Sequence, residues 1–162
     1  MHIAIIGAGI NGLMTALELI EQGCSVTILD QQQAGKAASW AGGGIVSPLY
    51  PWRYSAAVTA LAHWSQDFYP GFAQQLLEGT GVDPEVHVTG LYWLDLDDEA
   101  EALVWAQREG RPLYSVDIAE AYRDVPVLGS GFERAIHMPG VANVRNPRLV
   151  KALRAALAAM PN

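Results

Sequence analysis

The sequence has a single cysteine and few basic residues. Its 162 residues include 10 Lys and Arg against 17 Asp and Glu, which gives a formal net charge of -7. One cysteine excludes an internal disulfide, and Cys24, at the start of a predicted core strand, is typical of a buried small side chain. The scattered cations and the acidic balance disfavour nucleic acid and anionic membrane surfaces as partners.

Long hydrophobic runs and internal repeats are also missing. No apolar run reaches the length of a membrane span, and no repeating unit is found. Hydrophobic residues still make up 51% and charged residues 17% of the chain, which is typical of a globular protein with a substantial core. The chain begins with a predicted strand and not with a basic, apolar leader, so we expect a cytoplasmic protein.

The first thirty residues contain the pattern that predicts the fold. HIAIIG is typical of a short buried strand, and the segment from Gly7 to Gly12 (GAGING) follows it with G-x-G-x-x-G spacing. A helical repeat of apolar residues then stops at Gly23, and a second strand runs from Ser25 to Asp30. This order of strand, glycines, helix, strand and terminal acid predicts a Rossmann-like βαβ unit.

Each part of this pattern suits dinucleotide binding. Gly7 permits a tight turn, Gly9 leaves room for a pyrophosphate, and Gly12 lets the helix pack close to the strand. The phosphates would meet unpaired N–H groups at the positive end of the helix dipole. Asp30 could accept hydrogen bonds from both ribose hydroxyls and would repel a 2′-phosphate, which favours FAD or NAD over NADP.

A second unusual segment, GKAASWAGGGIVSP, runs from Gly35 to Pro48. Its three consecutive glycines are entropically costly to order, which suggests a backbone that passes close to another group. A flexible linker is the alternative, and the large apolar residues on either side disfavour it. Together with the first motif and Asp30, the segment resembles the D-amino-acid oxidase family of FAD-dependent amine oxidases. Within that family it most resembles the bacterial members that oxidise glycine in thiamine biosynthesis.

The resemblance implies FAD as the cofactor and a set of residues near it. In the family, the segment after the second strand runs under the flavin ring system, where small residues give the ring room. The predicted cofactor-binding residues are Gly7, Gly9, Ile10, Asn11, Gly12, Asp30, Gln31, Ser39, Trp40, Ala41, Gly42, Gly43 and Gly44. The resemblance also implies that a small amino acid (glycine, sarcosine or a D-amino acid) is oxidised to an imine, while molecular oxygen is reduced to hydrogen peroxide.

Two other functions stay open from the sequence. An NAD-dependent dehydrogenase would share the first motif but not the segment after Asp30. The other is a truncated, non-catalytic dinucleotide-binding module, because members of the resembled family are about twice as long as this chain. We therefore expect the chain to be the amino-terminal portion of such a protein, with little turnover by itself. An unpaired sheet edge in such a portion would favour a homo-oligomer.

The predicted fold class is α/β: a Rossmann-like FAD-binding βαβ unit with an inserted α+β substrate-domain segment, truncated relative to the family. We expect residues 1–80 to form the first part of the FAD-binding domain, 81–138 a substrate-domain segment, and 139–162 a helix returning to the FAD-binding domain. The sequence predicts a long helix from Arg53 to Gly79 that kinks or breaks at Pro70 and Gly71. Helices are also predicted over 97–110, over 117–123 and after a capping Asn146.

Several polar residues are more typical of a structural role than of catalysis, substrate binding or metal binding. His63 lies beside the apolar stripe of its helix, and the acids of residues 95–101 suit a solvated helix start better than a metal site. Arg145 and Arg148 could clamp a substrate carboxylate, but a surface position is favoured for both. The sequence therefore predicts no metal site and identifies no catalytic residue.

Overall fold

The computed structural model describes residues 1–160, which divide into two compact units. One unit comprises Met1–Gly44, Asp67–His87 and the chain from Asn143 onwards, and the other comprises Ile45–Gln66 and Val88–Ala142. The domain limits expected at residues 80 and 138 stay a prediction, and the chain also crosses between the units at residues 66–67, within a long helix. Which unit serves cofactor and which serves substrate stays a prediction.

The first unit is built on the strand–helix–strand element at the start of the chain. β1 (His2–Ile6) and β2 (Ser25–Leu29) pair in parallel, and α1 (Ile10–Glu21) connects them. α1 buries Leu13 and Leu17, two of the apolar residues whose helical spacing predicted it. The predicted βαβ arrangement is therefore confirmed.

Two further helices complete the structural frame of the first unit. α2 (Ala38–Ala41) is a single turn, and α6 (Asn146–Ala159) packs against both α1 and α2. α6 begins at Asn146, with Arg145 as its N-cap residue, and no side chain makes a capping hydrogen bond. The prediction that Asn146 caps this helix is therefore wrong, because the helical backbone already includes that residue.

α3 (Ala56–Thr80) is one continuous helix of 25 residues that belongs partly to each unit. The break predicted at Pro70 and Gly71 is absent from this helix, and a kink at this point stays a prediction. Pro70 is exposed, so water can bond the carbonyl that the proline leaves without a donor. Phe68 and Phe72 also stack on each other across this point, with ring centroids 4.8 Å apart.

The second unit contains a three-stranded antiparallel sheet. Two short strands, β3 (His87–Val88) and β7 (Ala142–Asn143), pair with each other. The three-stranded sheet consists of β4 (Leu91–Leu94), β5 (Tyr114–Val116) and β6 (Ala135–Met138), in the order β4-β6-β5. Its core contains the following buried residues: Trp93, Ala102, Trp105, Ala106, Leu113, Ile136, Met138 and Val141. β5 and β7 are only three and two residues long, and the sequence predicted neither.

Both predicted short helices are present in the second unit. α4 (Glu99–Glu109) ends at Gly110, whose φ of 64° is the left-handed conformation that favours glycine. α5 (Ile118–Asp124) is capped by Asp117, whose carboxylate accepts a hydrogen bond of 2.8 Å from the N–H of Ala119. None of the helices described within residues 1–160 is long and apolar enough to cross a membrane.

Candidate dinucleotide-binding site

Glycine is required at one position in the turn between β1 and α1 and at one in the first turn of α1. Gly7 has a φ of 103°, and its N–H donates a hydrogen bond of 2.7 Å to the carbonyl of Leu29. A Cβ at Gly12 would overlap the carbonyl oxygen of Gly7. The close packing predicted for Gly12 is present, and its role towards a cofactor stays a prediction.

The amino terminus of α1 faces the hydroxyl of Ser39. The N–H of Ile10 donates a hydrogen bond of 2.8 Å to Ser39 Oγ, and a Cβ at Gly9 would lie 3.0 Å from the same oxygen. The first hydrogen bond of the helix runs from the N–H of Leu13 to the carbonyl of Gly9, at 3.0 Å. The N–H groups of the intervening first turn therefore have no acceptor within the helix, which suits an anion.

Asp30 lies at the carboxyl end of β2 and is tied to the glycine turn. Its Oδ2 accepts a hydrogen bond of 2.6 Å from the N–H of Ala8, and its Oδ1 accepts one of 2.8 Å from the N–H of Gln32. These backbone donors, Ala8 first, lower the pKa of the Asp30 carboxyl below its usual value. Each oxygen keeps a further lone pair, so the ionised group can still accept hydrogen bonds from a ligand.

An open cavity of about 350 Å³ lies at this end of the two parallel strands. Its lining residues are Ile6, Gly7, Leu29, Asp30 and Gln31. Ile6 is 90% exposed and Leu29 is 55% exposed, so apolar surface lies beside the Asp30 carboxylate. Ligands of open α/β sheets bind beyond the carboxyl ends of the strands. The apolar surface, the carboxylate and the remaining first-turn N–H groups of α1 therefore form a candidate site for the adenosine and pyrophosphate of a dinucleotide.

Ser39 and Trp40, in the segment after β2, have different surroundings. Ser39 contacts the start of α1, as described above, whereas the neighbouring Trp40 is 40% exposed. The ammonium of Lys36 lies 3.3 Å from the centre of the Trp40 ring, a cation–π contact. Trp40 therefore carries a cation on its face, a contact that the sequence did not predict.

The glycine triplet passes close to the chain just before α6. A Cβ at Gly42 would lie 2.5 Å from Asn146 Nδ2, and a Cβ at Gly44 would overlap the carbonyl oxygen of Val144. The N–H of Val144 also donates a hydrogen bond of 2.8 Å to the carbonyl of Gly44. The sequence predicted that another group lies close to these glycines. At two of them this group belongs to the protein itself: the Asn146 side chain at Gly42 and the Val144 backbone at Gly44. Sequence spacing gives no signal for such a distant contact.

Arg145 and Arg148 are held by an acidic residue of the same unit. Arg145 Nη1 lies 3.1 Å from Glu85 Oε2, and Arg148 Nε lies 3.0 Å from Glu85 Oε1. Arg148 Nε also donates a hydrogen bond of 2.6 Å to the carbonyl of Asp83. These contacts support the structural explanation that the sequence favoured for both arginines.

The acids at the start of α4 bind groups of the protein itself. Asp98 accepts hydrogen bonds from Trp52 Nε1 at 2.6 Å and from the Arg53 guanidinium at 2.7 and 2.8 Å. The guanidinium first, and then the indole N–H, hold the pKa of Asp98 far below its usual value. Between residues 1 and 160, no group of three His, Cys, Asp or Glu side chains could hold a metal ion.

The first unit has the features of a dinucleotide-binding protein of the Rossmann type. These features are a parallel βαβ unit, a glycine turn, the amino terminus of α1 beside that turn, and a carboxylate at the end of β2. The family model described as FAD dependent oxidoreductase matches residues 2–160. The chain therefore belongs to this family of FAD-dependent oxidoreductases. The predictions of the family and of its cofactor are confirmed, and the NAD-dependent alternative is not favoured.

Individual relatives point to one branch of the family. The chain is 67% identical over 161 residues to a glycine oxidase of Pseudomonas putida and 63% identical over 161 residues to one of Pseudomonas aeruginosa. Each match covers 99% of this chain and 44% of the relative. The crystal structure of glycine oxidase from Geobacillus kaustophilus is similar with a TM-score of 0.87 at 29% identity, covering 97% of this chain and 44% of that one. The chain thus spans less than half the length of these relatives.

Proposed function

We propose that this chain is the FAD-binding part of an oxidase that acts on a small amino acid, with glycine as the first candidate substrate. The observation that carries the proposal is the 67% identity to the Pseudomonas putida glycine oxidase across 99% of the chain. Because the chain spans 44% of that relative, the activity is proposed for a protein that includes the remaining part of the fold.

The glycine turn and the residues beside it would hold the adenosine and pyrophosphate parts of the cofactor. Asp30 would accept hydrogen bonds from the ribose hydroxyls, and the N–H groups at the start of α1 would bind the pyrophosphate. Ser39 lies where its hydroxyl could turn towards the same phosphates, since its oxygen already accepts from Ile10. Trp40 to Gly44, with Gln31 at the ribose end, complete the proposed cofactor-binding set.

The proposed reaction is a two-electron oxidation at the amino acid. FAD, when bound, supplies the acceptor for the hydride that leaves the α-carbon. The substrate nitrogen loses a proton, and the resulting imine takes up water to give a 2-oxo acid and ammonia. Molecular oxygen accepts the two electrons and two protons and becomes hydrogen peroxide. With glycine as substrate, the overall reaction converts glycine, oxygen and water into glyoxylate, ammonia and hydrogen peroxide.

No residue of the described chain is assigned as a general base or as the substrate-carboxylate clamp. Arg145 and Arg148 are engaged by Glu85, which argues against a free clamp at either position. The cytoplasmic location and a homo-oligomeric state also stay predictions.

A peroxide-coupled assay of the FAD-loaded protein with glycine, sarcosine and D-alanine tests the proposal. We expect peroxide release with at least one of these substrates from a protein that includes the remaining part of the fold. From residues 1–162 alone we expect little turnover. Bound FAD without peroxide release from the longer protein would contradict the oxidase assignment and favour a non-catalytic dinucleotide-binding module.

A further inference from the structure

A cavity in the second unit lies between residues of β4 and β6 and the chain from α5 onwards. Its volume is about 520 Å³, and every residue that lines it belongs to that unit. The lining includes three ionisable side chains and several apolar ones, among them Tyr92, Asp124, His137, Leu94, Val125 and Leu128. Small-molecule sites typically have volumes of about 300–1,000 Å³, mostly apolar walls and a few converging polar groups. The cavity has this size and this composition.

The pairing of β4 with β6 holds Tyr92 and His137 side by side. The two residues are direct partners in this antiparallel pair, and their rings stack with centroids 4.1 Å apart and planes 9° apart. The next pair, Trp93 and Ile136, is buried in the core, so side-chain alternation puts Tyr92 and His137 on the opposite face. A Cβ at Gly90 would overlap Nε2 of His137, so the missing side chain leaves room for the imidazole. The sheet therefore fixes the stacked rings as one wall of the cavity.

Helix α5 brings a carboxylate to the same wall. The hydroxyl of Tyr92 donates a hydrogen bond of 2.7 Å to Asp124 Oδ2. This bond is the main cause that lowers the pKa of Asp124 below its usual value, and it raises the pKa of Tyr92 to about 12. At neutral pH the pair is thus a carboxylate and a neutral phenol. The Asp124 side chain is 46% exposed, and both groups keep lone pairs that can accept hydrogen bonds from a ligand.

The charges around Asp124 favour a positively charged ligand. Arg123 Nε lies 3.4 Å from Asp124 Oδ1, and Arg123 Nη2 lies 4.0 Å from Glu120 Oε2. One guanidinium therefore faces two carboxylates, which leaves one negative charge in excess among these three groups. The apolar walls suit an organic cation better than a metal ion, because a metal ion needs a full set of polar ligands.

We propose that this cavity is a binding site for a small primary amine with an apolar body. The ammonium group would donate hydrogen bonds to the Asp124 carboxylate and to the phenol oxygen of Tyr92. The apolar body would lie against Leu94, Val125 and Leu128. The inference goes beyond the proposed function, because binding at this site needs neither FAD nor turnover.

Calorimetric titration of the purified protein with benzylamine, benzyl alcohol and benzoate tests the chemistry of the site. These probes share a phenyl ring and differ in charge. We expect saturable binding of benzylamine that is about tenfold or more tighter than that of benzyl alcohol, with benzoate weaker still. Equal affinity for benzylamine and benzyl alcohol, tighter binding of benzoate, or no saturable binding of benzylamine would overturn the proposal.

Substitutions test whether the amine binds in this cavity. Asp124→Asn should weaken benzylamine binding about tenfold or more and leave benzyl alcohol within about twofold, because it removes the charge while the amide oxygen can still accept from Tyr92. Asp97→Asn is the matched control, since Asp97 is an exposed acid of the same unit that does not line the cavity. It should bind benzylamine as the parent does, and equal affinity in Asp124→Asn and Asp97→Asn would overturn the proposal.

A change of the apolar wall tests the same location without altering a charge. Val125 is 36% exposed, so Val125→Trp can add bulk at the cavity without overpacking the core. It should weaken the binding of benzylamine and of benzyl alcohol alike. Thermal unfolding midpoints show which variants are folded, and this variant keeps the test decisive if Asp124→Asn does not fold. Parent-like affinity for benzylamine in Val125→Trp would contradict binding in the cavity.

Tyr92→Phe separates a binding site from a purely structural hydrogen bond that attaches α5 to the sheet. The substitution keeps the stacked ring and removes the hydroxyl. The proposal predicts benzylamine binding weakened by about threefold or more, whereas a purely structural role predicts a lower thermal midpoint with unchanged affinity. Because FAD takes no part in these titrations, a failure to bind FAD would contradict the proposed function and leave the amine site standing.

Discussion

The carboxylate of Asp30 accepts a hydrogen bond of 2.6 Å from the backbone N–H of Ala8, which joins the end of β2 to the middle of the glycine turn. A group proposed to bind ribose is thus also part of the structure that shapes the phosphate-binding turn. Substitution at Asp30 should consequently affect both the fold of the turn and the affinity for the cofactor.

Asp30→Asn should weaken FAD binding by roughly tenfold to a hundredfold, because an amide has one acceptor oxygen where the carboxylate has two and carries no charge. The measurement is an equilibrium titration of FAD by flavin fluorescence. Asp97→Asn is the matched control, because Asp97 is exposed and lies in the other unit. Equal FAD affinity for the two variants would contradict the role of Asp30.

Gly12→Ala should destabilise the protein, because its Cβ would overlap the carbonyl oxygen of Gly7. The expected loss in the free energy of unfolding is about 1–3 kcal/mol, the usual range for overpacking at a rigid site. Gly79→Ala is a matched control within helix α3, where a Cβ meets open space and alanine should be neutral or stabilising. Chemical denaturation of the three proteins measures both effects, and equal stability of Gly12→Ala and Gly79→Ala would refute the close approach.

Asp98 should make the stability of the protein depend on acid pH. Its folded-state pKa lies below the unfolded value of 3.8, owing to Arg53 and Trp52. Its contribution is therefore fully present above the unfolded pKa and is lost as the pH falls through the folded pKa. We expect Asp98→Asn to be less stable than the parent at neutral pH, with a difference that narrows below pH 3.8.

Thermal unfolding midpoints of the parent and Asp98→Asn, measured from neutral pH down to about pH 2, test this dependence. Asp97→Asn should follow the parent at every pH, since Asp97 is exposed. A difference between the parent and Asp98→Asn that stays constant across the range would show that the charge of Asp98 is not the cause.

The sequence predicted those parts of the fold that depend on residues close together in the chain. The order of strand, Gly7 to Gly12, helix, strand and Asp30 specified the βαβ unit, because turn geometry, helical spacing and strand spacing are all local properties. The helix predicted over 117–123 is likewise present as α5, because its amino-terminal cap, Asp117, is a local feature. The family resemblance, in turn, depended on the rarer segment that follows β2.

Long-range contacts account for what the sequence did not predict. The contact of Asn146 with Gly42 joins distant parts of the chain, and the amino acid type of neither residue indicates it. At Pro70 a local rule predicted an interruption, but the exposed ring and the stacked phenylalanines allow a continuous helix. Two-residue strands such as β7 are too short for alternation to reveal them.

The central claim is that the glycine turn, the start of α1 and Asp30 hold FAD by its adenosine and pyrophosphate. Equilibrium titration of the purified protein with FAD, FMN and NAD tests it most directly, because FMN has the flavin ring but lacks the adenosine. We predict saturable binding of FAD that is weakened by Asp30→Asn, with much weaker binding of FMN and NAD. Binding of NAD in preference to FAD, or equal affinity for FMN and FAD, would contradict the account.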